Sequence, residues 1–312
     1  MTGTEPTHPF RFSTGYGGAR SARQLTDWAR RIEDLGYSTM TISDHFDDQL
    51  GPIATLTTAA AATRHLRVAP LVFCNDYRHP AVLAKEAATL DLLSDGRLEL
   101  GIGAGWMTSD YGAAGLVLDP PMRRIERLEE SIDVIEGLWS GAAIDHHGTE
   151  YDITGLAGTP TPRRRPRWII GGGGRAMLGL AARRADIVGL NLRLSDGRFD
   201  RAGATCTAAA TDERISWIRT AAGARIDHPE LQTRVHHGIV TDGRRAGFAA
   251  VADAFGISDD EATGTPHALV GTTEQIIEDL RARRERWGIS YVAVNADMAE
   301  ALAPVVAALT GT

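Results

Sequence analysis

The sequence of 312 residues contains only two cysteines, Cys74 and Cys206, and neither lies in a C-x-x-C pair or in a zinc-finger spacing. Two cysteines cannot form a disulfide framework, so a reducing compartment is expected. An excess of basic residues is also lacking, because 33 Lys and Arg stand against 40 Asp and Glu, a formal net charge of −7. Proteins that bind nucleic acids concentrate Lys and Arg, so a nucleic-acid partner is not expected.

Long apolar segments are missing as well. No run approaches the roughly 18 apolar residues of a membrane-spanning helix, and the opening residues MTGTEPTHPF lack the basic and apolar regions of a secretory signal peptide. Both absences predict a cytoplasmic protein without a membrane partner. The chain length leaves room for two domains of about 150 residues or for one α/β barrel.

Segments rich in β-forming residues alternate with segments of helical periodicity. The clearest helix carries an apolar stripe from Ala22 to Leu35, begins with the capping sequence SARQ at 21–24 and ends at Gly36. The predicted strands are 10–15, 38–43, 66–73, 97–102, 167–171, 185–190, 234–240 and 290–295. Repeated strand–helix alternation predicts an α/β fold, a single (β/α)8 TIM barrel over residues 1–312 rather than two open sheets.

Three spans interrupt this alternation, at 140–166, 191–212 and 241–270. Insertions in a barrel usually lie in the loops that build or cover the site, so we expect long insertion loops at the C-terminal face. No segment has the composition of a linker to a second domain.

Three glycines at alternate positions open the stretch GIGAGWMTSDYG at 101–112. A dinucleotide-binding fingerprint requires G-x-G-x-x-G followed directly by a helix, and here the third glycine comes one residue early. Residues two apart share one face of a strand, so Gly101, Gly103 and Gly105 would leave bare backbone there. A planar ring can approach such a surface. Relief of crowding inside the barrel is the alternative explanation.

A second glycine cluster fits phosphate binding better. The segment IIGGGG at 169–174 ends a predicted strand, and a helical segment follows it. Free N–H groups, the positive end of a helix dipole and one guanidinium would converge at this point. The residues predicted to bind a cofactor phosphate are Gly171, Gly172, Gly173, Gly174 and Arg175.

Four segments, taken in order, resemble one known family. They are TISDHF (41–46), RHPAVLAKEAATLDLLSDGRLELGIGAGW (78–106), RRIERLEESIDVIEGLW (123–139) and RWIIGGGGRAMLGLAARRADIVGLN (167–191). The chain resembles the luciferase-like superfamily and, within it, the coenzyme F420-dependent oxidoreductases, over most of 10–190 and again near 270–295. The resemblance implies a (β/α)8 barrel that binds a deazaflavin at the C-terminal strand ends and transfers a hydride to or from a small organic substrate. An alcohol or an activated C=C or C=N bond would react.

Asp44 and His45 follow the second predicted strand, where barrel sites lie. The resemblance implies that both contact the deazaflavin and are catalytic, with His45 holding or donating a proton beside the hydride path. Hydride delivery leaves an anion that needs a proton, and an imidazole titrates near neutrality. A helix-capping aspartate with a hydrogen-bonded histidine is the alternative.

The resemblance also assigns residues around strand three. It implies a non-prolyl cis peptide near Leu71 and Val72 that supports the ring. Asn75 would then hydrogen-bond a ring carbonyl, unless it is an ordinary turn residue. Cys74 is predicted to be a packing residue, because nothing nearby in sequence would lower the pKa of its thiol.

Aromatic residues follow strand four. Trp106 and Tyr111 would lie at the substrate face of the ring, where aromatic side chains exclude water and stack on substrate, and Trp106 is a catalytic candidate. Burial in the core is the alternative for both. Gly103, Gly105 and Ser109 are predicted to contact the cofactor.

Two further clusters permit other interpretations. The run RRRPR at 163–167 is either a landing place for the polyglutamate tail of F420 or a solvated loop. His236 and His237 lie on opposite faces of the strand predicted at 234–240. With Asp44 and His45 they permit a metal-dependent hydrolase, but they supply too few ligands, so no metal is predicted.

Three functional alternatives remain open at this point. The leading hypothesis is the F420 oxidoreductase; another is an FMN-dependent monooxygenase of the same fold, supplied by a separate flavin reductase. The remaining one is a flavin-binding barrel without catalysis. Relatives of this kind are often dimers, so a homodimer is expected. The substrate is predicted only as a small molecule, because 191–212 and 241–270 match the family least.

Overall fold

The computed structural model describes residues 8–193, 203–225 and 227–312. The strands are β1 (Arg11–Gly15), β2 (Thr39–Ile42), β3 (Arg67–Pro70), β4 (Phe73–Cys74), β5 (Glu99–Gly103), β6 (Ala143–His147), β7 (Asp152–Ala157), β8 (Arg167–Gly172), β9 (Ile187–Leu190), β10 (Glu230–Arg234), β11 (His237–Val240), β12 (Ala268–Gly271) and β13 (Ile289–Val294). The α-helices are α1 (Ala22–Asp34), α2 (Pro52–Ala62), α3 (Pro80–Leu93), α4 (Thr108–Ala114), α5 (Pro121–Trp139), α6 (Arg175–Arg184), α7 (Ala208–Ala222), α8 (Arg244–Phe255), α9 (Asp259–Gly264), α10 (Thr273–Trp287) and α11 (Ala299–Leu309).

The predicted α/β barrel is confirmed. Its sheet has nine parallel strands in the order β3-β2-β1-β13-β10-β9-β8-β5-β4. The third barrel strand is split into β3 and β4, and it closes the ring because Cys74 pairs with Gly103 while Val68 bridges Leu98. Between the two pieces the Leu71–Val72 peptide bond is cis, at the position that the family resemblance implied.

Helix boundaries follow the capping residues read from the sequence. The Ser21 side chain accepts a hydrogen bond from the Gln24 N–H at 3.2 Å. α1 ends at Asp34, two residues before Gly36, whose φ is +87°. Leu25, Ala29 and Ile32 form the buried face of α1. Burial of such apolar stripes against the strands makes the core between barrel and helices.

The strand predicted at 234–240 is wrong. β10 occupies 230–234 in the barrel, and the chain then leaves the sheet to form β11, which pairs in parallel with β12 in a separate two-stranded sheet. The segment RVHHGIV has β-branched residues before and after its glycine and no proline, so its composition does not mark the break clearly. This correction places Arg234, rather than Val240, at the carboxyl end of the seventh barrel strand.

The three insertions do not all belong to the site end. The span 140–166 connects α5 to β8 and therefore starts at the opposite end, where it forms the antiparallel hairpin β6–β7. Only its tip reaches the site end, where Glu150 bonds Arg123 and Arg127 in the first turns of α5. The span 241–270 contains α8, α9 and the start of β12. Within 191–212, residues 194–202 lie outside the described part of the chain.

Charged side chains close the amino-terminal end of the barrel. Arg11 donates hydrogen bonds to Glu99 at 2.9 Å and to Glu230 at 2.6 Å, and Arg167 reaches Glu230 at 2.9 Å. Each of these residues begins a barrel strand. The run RRRPR at 163–167 lies at this end, about 20 Å of strand away from the glycine loop at the other end of β8. It therefore does not extend the predicted phosphate site.

Candidate active site

A cavity of about 960 Å³ opens where the carboxyl ends of the barrel strands meet. Walls come from the ends of β2, β4, β5, β8, β9 and β10 and from the starts of α5 and α6. The predicted site residues that line it are Asp44, His45, Leu71, Val72, Gly103, Gly105, Trp106, Gly171, Gly172, Gly173, Gly174 and Arg175. The structure thus brings together residues from both glycine clusters and from the segment after β2.

His45 is held at the cavity by a carboxylate that the sequence analysis did not single out. Its Nδ1 lies 2.7 Å from Oδ2 of Asp110, and Tyr77 donates to the same oxygen at 3.2 Å. Because a carboxylate only accepts, Nδ1 carries the proton in this bond, and no described residue hydrogen-bonds Nε2. Trp106 packs its ring perpendicular to the imidazole, with centroids 5.6 Å apart. The imidazole is therefore oriented from two sides.

Tyr77 is a fixed donor in this arrangement. Burial, together with the nearby Cys74 and Asp110, raises the pKa of its phenol well above the usual range. The hydroxyl therefore keeps its proton and donates to Asp110 at any pH near neutrality.

Asp44 positions the backbone at the site. Both of its oxygens accept from Arg78, at 2.5 and 3.0 Å, and Oδ2 also accepts from the backbone N–H of Cys74 at 3.0 Å. The carboxylate borders the cavity, yet these three bonds tie it to β4 and the segment behind it. This geometry gives Asp44 a role in holding the split third strand.

Two reasons explain the alternating glycines. A Cβ on Gly101 would lie 2.0 Å from the Pro70 carbonyl oxygen, so close packing of β5 on β3 requires glycine there. Gly103 and Gly105 line the cavity, but Gly105 lies beyond β5 with φ +76°. The expectation that all three share one strand face is therefore wrong, and the crowding explanation holds for Gly101.

The second glycine cluster has the predicted form. Gly171 and Gly172 end β8, Gly174 is the N-cap of α6, and Arg175 opens the helix. A Cβ on Gly173 would lie 2.6 Å from the backbone N of Arg193, so the loop passes close to the neighbouring chain. The first turn of α6 presents unpaired N–H groups and the positive end of its dipole to the cavity.

Two predicted cofactor contacts lie outside the cavity lining. Asn75 is buried and donates to the Tyr151 hydroxyl at 3.2 Å, and Ser109 is exposed on α4. Tyr111 is buried and donates to Asp76 at 2.8 Å, which fits the core alternative. Burial raises the pKa of the Cys74 thiol to about 11, so it remains a neutral thiol.

Sequence reasoning missed three charged residues besides Asp110. Arg78 pairs with Asp44; Arg124 donates to the Ala104 carbonyl at 3.0 Å and to that of Gly105; and Arg234 ends β10 at the cavity. Arg78 is the first residue of the segment at 78–106 that carries the family resemblance, which was the available signal. Nothing in the sequence indicated that Arg234 ends a barrel strand, because the predicted strand began at this residue and continued to Val240.

The cavity wall is rich in positive charge. Arg124, Arg175, Arg193 and Arg234 line it, and among the described lining residues the one carboxylate is that of Asp44, paired with Arg78. Arg175 and Arg193 have no carboxylate partner among the described residues. A cavity of this kind attracts an anionic ligand.

Within residues 8–193, 203–225 and 227–312, no three His, Cys, Asp or Glu side chains are grouped so that they could hold a metal ion. In the same part of the chain, every helix is too short or too polar to cross a bilayer.

Known proteins are similar to this chain in sequence or in fold. An F420-dependent glucose-6-phosphate dehydrogenase from Amycolatopsis mediterranei (strain U-32) is 29% identical over 172 residues, 53% of this chain and 52% of that protein. A 4-hydroxyprotoasukamycin monooxygenase from Streptomyces nodosus subsp. asukaensis is 34% identical over 140 residues, 44% of this chain and 36% of that protein. The chain spans about half the length of the curated relatives it matches first.

The coenzyme F420 dependent tetrahydromethanopterin reductase from Methanopyrus kandleri has the same fold. It superposes with a TM-score of 0.78 at 17% identity, covering 96% of this chain and 98% of that one. A family model described as luciferase-like monooxygenase matches residues 7–291, which include every barrel strand except the last residues of β13. This chain belongs to the luciferase-like monooxygenase family.

Proposed function

We propose that this chain is an F420-dependent oxidoreductase that transfers a hydride between the deazaflavin and a small organic substrate. An alcohol, or a compound with an activated C=C or C=N bond, is the expected reactant. The observation that carries the proposal is that a single cavity is lined by the glycine loop, Arg175 and His45, whose Nδ1 is bonded to Asp110 behind it. Relatives named F420-dependent glucose-6-phosphate dehydrogenase, 28 to 30% identical over about half of the chain, support it.

The residues present suit a flat heterocycle with a phosphorylated tail. Gly103 and Val72 both line the cavity, and a Cβ at Gly103 would lie 2.9 Å from a Val72 methyl carbon, so glycine lets Val72 pack against the backbone in the part of the wall where a ring would lie. Gly171 to Gly174, the start of α6 and Arg175 would hold the phosphate. When bound, F420 supplies a carrier that donates or accepts a hydride and reacts little with oxygen.

The chain contributes proton handling and shielding. With the Nδ1 proton directed to Asp110, Nε2 of His45 is the atom that gives a proton to, or takes it from, the reacting oxygen or carbon. Trp106, 38% exposed at the rim, covers the imidazole and limits access of water. Arg124 fixes the backbone carbonyls of Ala104 and Gly105, which keeps the wall in place.

A specific observation favours a second candidate, an FMN-dependent monooxygenase served by a separate flavin reductase. The relative with 34% identity over 140 residues is named a monooxygenase. The glycine loop and Arg175 would bind the FMN phosphate equally well, so the phosphate site does not separate the two candidates.

The deciding experiment is an anaerobic titration of the purified protein with oxidised F420, reduced F420 and FMN, in which binding is monitored by fluorescence. We expect micromolar or tighter binding of F420 and weaker binding of FMN. Micromolar binding of FMN with none of the deazaflavin would overturn the proposal in favour of the monooxygenase. Absence of binding by both would remove flavin chemistry altogether.

Two variants on α6 test the phosphate site in the same titration. Arg175→Gln removes a charge-assisted hydrogen bond and should weaken F420 binding about tenfold. Arg183→Gln, at the exposed last turn of the same helix, is the matched control and should leave the affinity within about twofold. Equal affinities for the two variants would remove Arg175 from the phosphate site.

A further inference from the structure

Arg234 is a half-buried arginine at the carboxyl end of β10 that has no acidic partner among the described residues. Its one described side-chain bond is from Nη2 to Oδ1 of Asn295, at 3.1 Å. Burial lowers the pKa of the guanidinium, and no neighbouring carboxylate offsets this effect. A guanidinium has five N–H donors and stays charged in proteins, so most of its bonding capacity is directed to the cavity that it lines.

Arg234 borders two cavities. Besides the large one, a side cavity of about 180 Å³ lies over the ends of β1, β2 and β13, and the two share Ser43, Leu71 and Arg234. Gly15, Gly17 and Gly18 keep much of its wall free of side chains. Such a volume corresponds to about six water molecules, enough for a short acid-bearing fragment.

Asn295 completes the arrangement. It follows β13 directly, and β13 pairs with β10 so that Arg234 lies opposite Ala293. Since its Oδ1 accepts from Arg234, its Nδ2 group is a donor, and that group has no partner among the described residues. Two strand ends therefore direct a guanidinium and an amide N–H₂ at the same space.

We propose that Arg234 and Asn295 form a subsite for a carboxylate of the substrate, with the reacting group of that substrate extending into the main cavity toward His45. Ser43, two residues before His45, borders both cavities, so a short molecule spans the distance. This inference rests on the proposed function for the reacting end of the substrate, but the recognition of the acid does not.

Charge favours a carboxylate over a phosphate. The subsite offers one cation and one neutral amide, which match a single negative charge and the two-point geometry of a carboxylate. A phosphate dianion is usually held by several cations or by backbone N–H groups at a helix start. That arrangement is present elsewhere in the wall of the main cavity, at the start of α6 and Arg175.

The test uses the full chain and three probes: benzoate, its neutral counterpart benzamide, and inorganic phosphate. Binding is measured by calorimetry and by tryptophan fluorescence, since Trp106 and Trp217 line the main cavity. We expect benzoate to bind more tightly than either other probe. Arg234→Gln should weaken benzoate binding at least tenfold. Arg234→Lys keeps the charge but loses the two-point hydrogen-bonding geometry of the guanidinium, so it should weaken benzoate binding about threefold to tenfold.

Arg175→Gln is the matched control at another arginine of the same cavity. Arg175→Gln should weaken F420 binding but leave benzoate binding unchanged. Arg234→Gln should weaken benzoate binding and leave the affinity for F420 within about threefold of wild type. If Arg234→Gln weakens F420 as much as benzoate, the anion recognised belongs to the cofactor and the proposal is overturned. Tighter binding of phosphate than of benzoate, or equal benzoate affinity in wild type and Arg234→Gln, also overturns it.

Folding of the variants is checked by circular dichroism and melting temperature. If Arg234→Gln does not fold, Asn295→Ala takes its place and should weaken benzoate about threefold to fivefold, with an unchanged affinity overturning the proposal. If the wild type binds benzoate through Arg234 but no F420, the proposed cofactor fails while the acid subsite stands. The two proposals are therefore tested separately.

Discussion

At the residue scale, His45 is the side chain on which the proposed chemistry depends. His45→Ala removes the group that moves the proton but leaves the glycine loop intact. We expect F420 affinity to stay within a few fold while turnover, followed by deazaflavin absorbance, slows by about 10² or more. Added imidazole should restore part of the rate.

The control for this variant is His147→Ala, because His147 is exposed on the β6–β7 hairpin outside the cavity. It should behave as wild type. Unchanged turnover in His45→Ala would remove the proton-transfer role from that residue. Asp110→Asn tests the partner of His45. It keeps the size of the side chain but removes the negative charge that fixes the proton on His45 Nδ1, so it should slow turnover about tenfold and leave the affinity for F420 unchanged.

Residue types at strand ends could be predicted from the sequence, but their partners could not. Asp44, His45 and Trp106 line the cavity as expected, because each follows the end of a predicted strand by four residues or fewer. Asp110 reaches His45 from 65 positions away along the chain, and no spacing rule connects the two. Asn75 gives a turn-like signal yet points away from the cavity to Tyr151.

At the element scale, the approach of β5 to β3 decides which glycines are required. Gly101→Ala would place a Cβ 2.0 Å from the Pro70 carbonyl oxygen and 3.1 Å from a Val72 methyl carbon. Because a backbone oxygen cannot move cheaply, we expect the free energy of unfolding to fall by at least about 2 kcal/mol. Urea denaturation followed by circular dichroism measures this loss.

Gly112→Ala is the matched substitution, on the exposed side of α4 with no atom within 4 Å of the added Cβ. Alanine is the better helix former, so this variant should gain up to about 1 kcal/mol. Equal losses in both variants would show that the strand approach is not what selects glycine at 101.

Elements with a strong local signal were predicted within a few residues, and the others were missed for identifiable reasons. The Ser21 cap defines the start of α1 through a local hydrogen bond that a short sequence window contains. The hairpin β6–β7 has a mostly exposed, polar pattern, so it gives no alternation to detect. Among the described strands, β12 pairs with β11 alone, in a sheet separate from the barrel.

At the scale of the whole molecule, the two ends of the barrel differ in electrostatics. The amino-terminal end is closed by Arg11 between Glu99 and Glu230, with Arg167 beside them. Burial alone would raise the pKa of Glu230, but the hydrogen bonds and charges of Arg11 and Arg167 outweigh it and lower that pKa. At the carboxyl end, Arg175, Arg193 and Arg234 have no acidic partner among the described residues, so that end is the better suited to bind an anion.

The barrel as a whole could be predicted because strand–helix alternation is a global property that tolerates local errors. One strand was misplaced and one was split, yet the number of barrel positions and their order survived. Homodimer formation and a cytoplasmic location stay predictions, since both depend on surfaces and partners outside one chain.

The stability of the molecule should depend on pH through a histidine at the junction of barrel and second sheet. His267 is fully buried just before β12; its ring donates to the Arg234 carbonyl at 2.9 Å, and its backbone carbonyl accepts from the His236 N–H. Burial lowers its pKa from 6.5 to about 4. In the folded protein the ring stays neutral where the unfolded chain binds a proton, so stability is full above pH 6.5 and falls as the pH drops toward 4.

We therefore expect His267 to account for a loss of about 2 kcal/mol in the free energy of unfolding between pH 7 and pH 5. His267→Asn keeps a donor for the Arg234 carbonyl, but its side chain does not titrate. Between pH 7 and pH 5 the free energy of unfolding of this variant should therefore fall by about 2 kcal/mol less than that of the wild type, whatever the stability of the variant at pH 7. His65→Asn, at an exposed position, is the control and should keep the wild-type dependence. Urea unfolding at the two pH values gives the comparison, and identical pH dependence in wild type and His267→Asn would contradict the neutral buried imidazole.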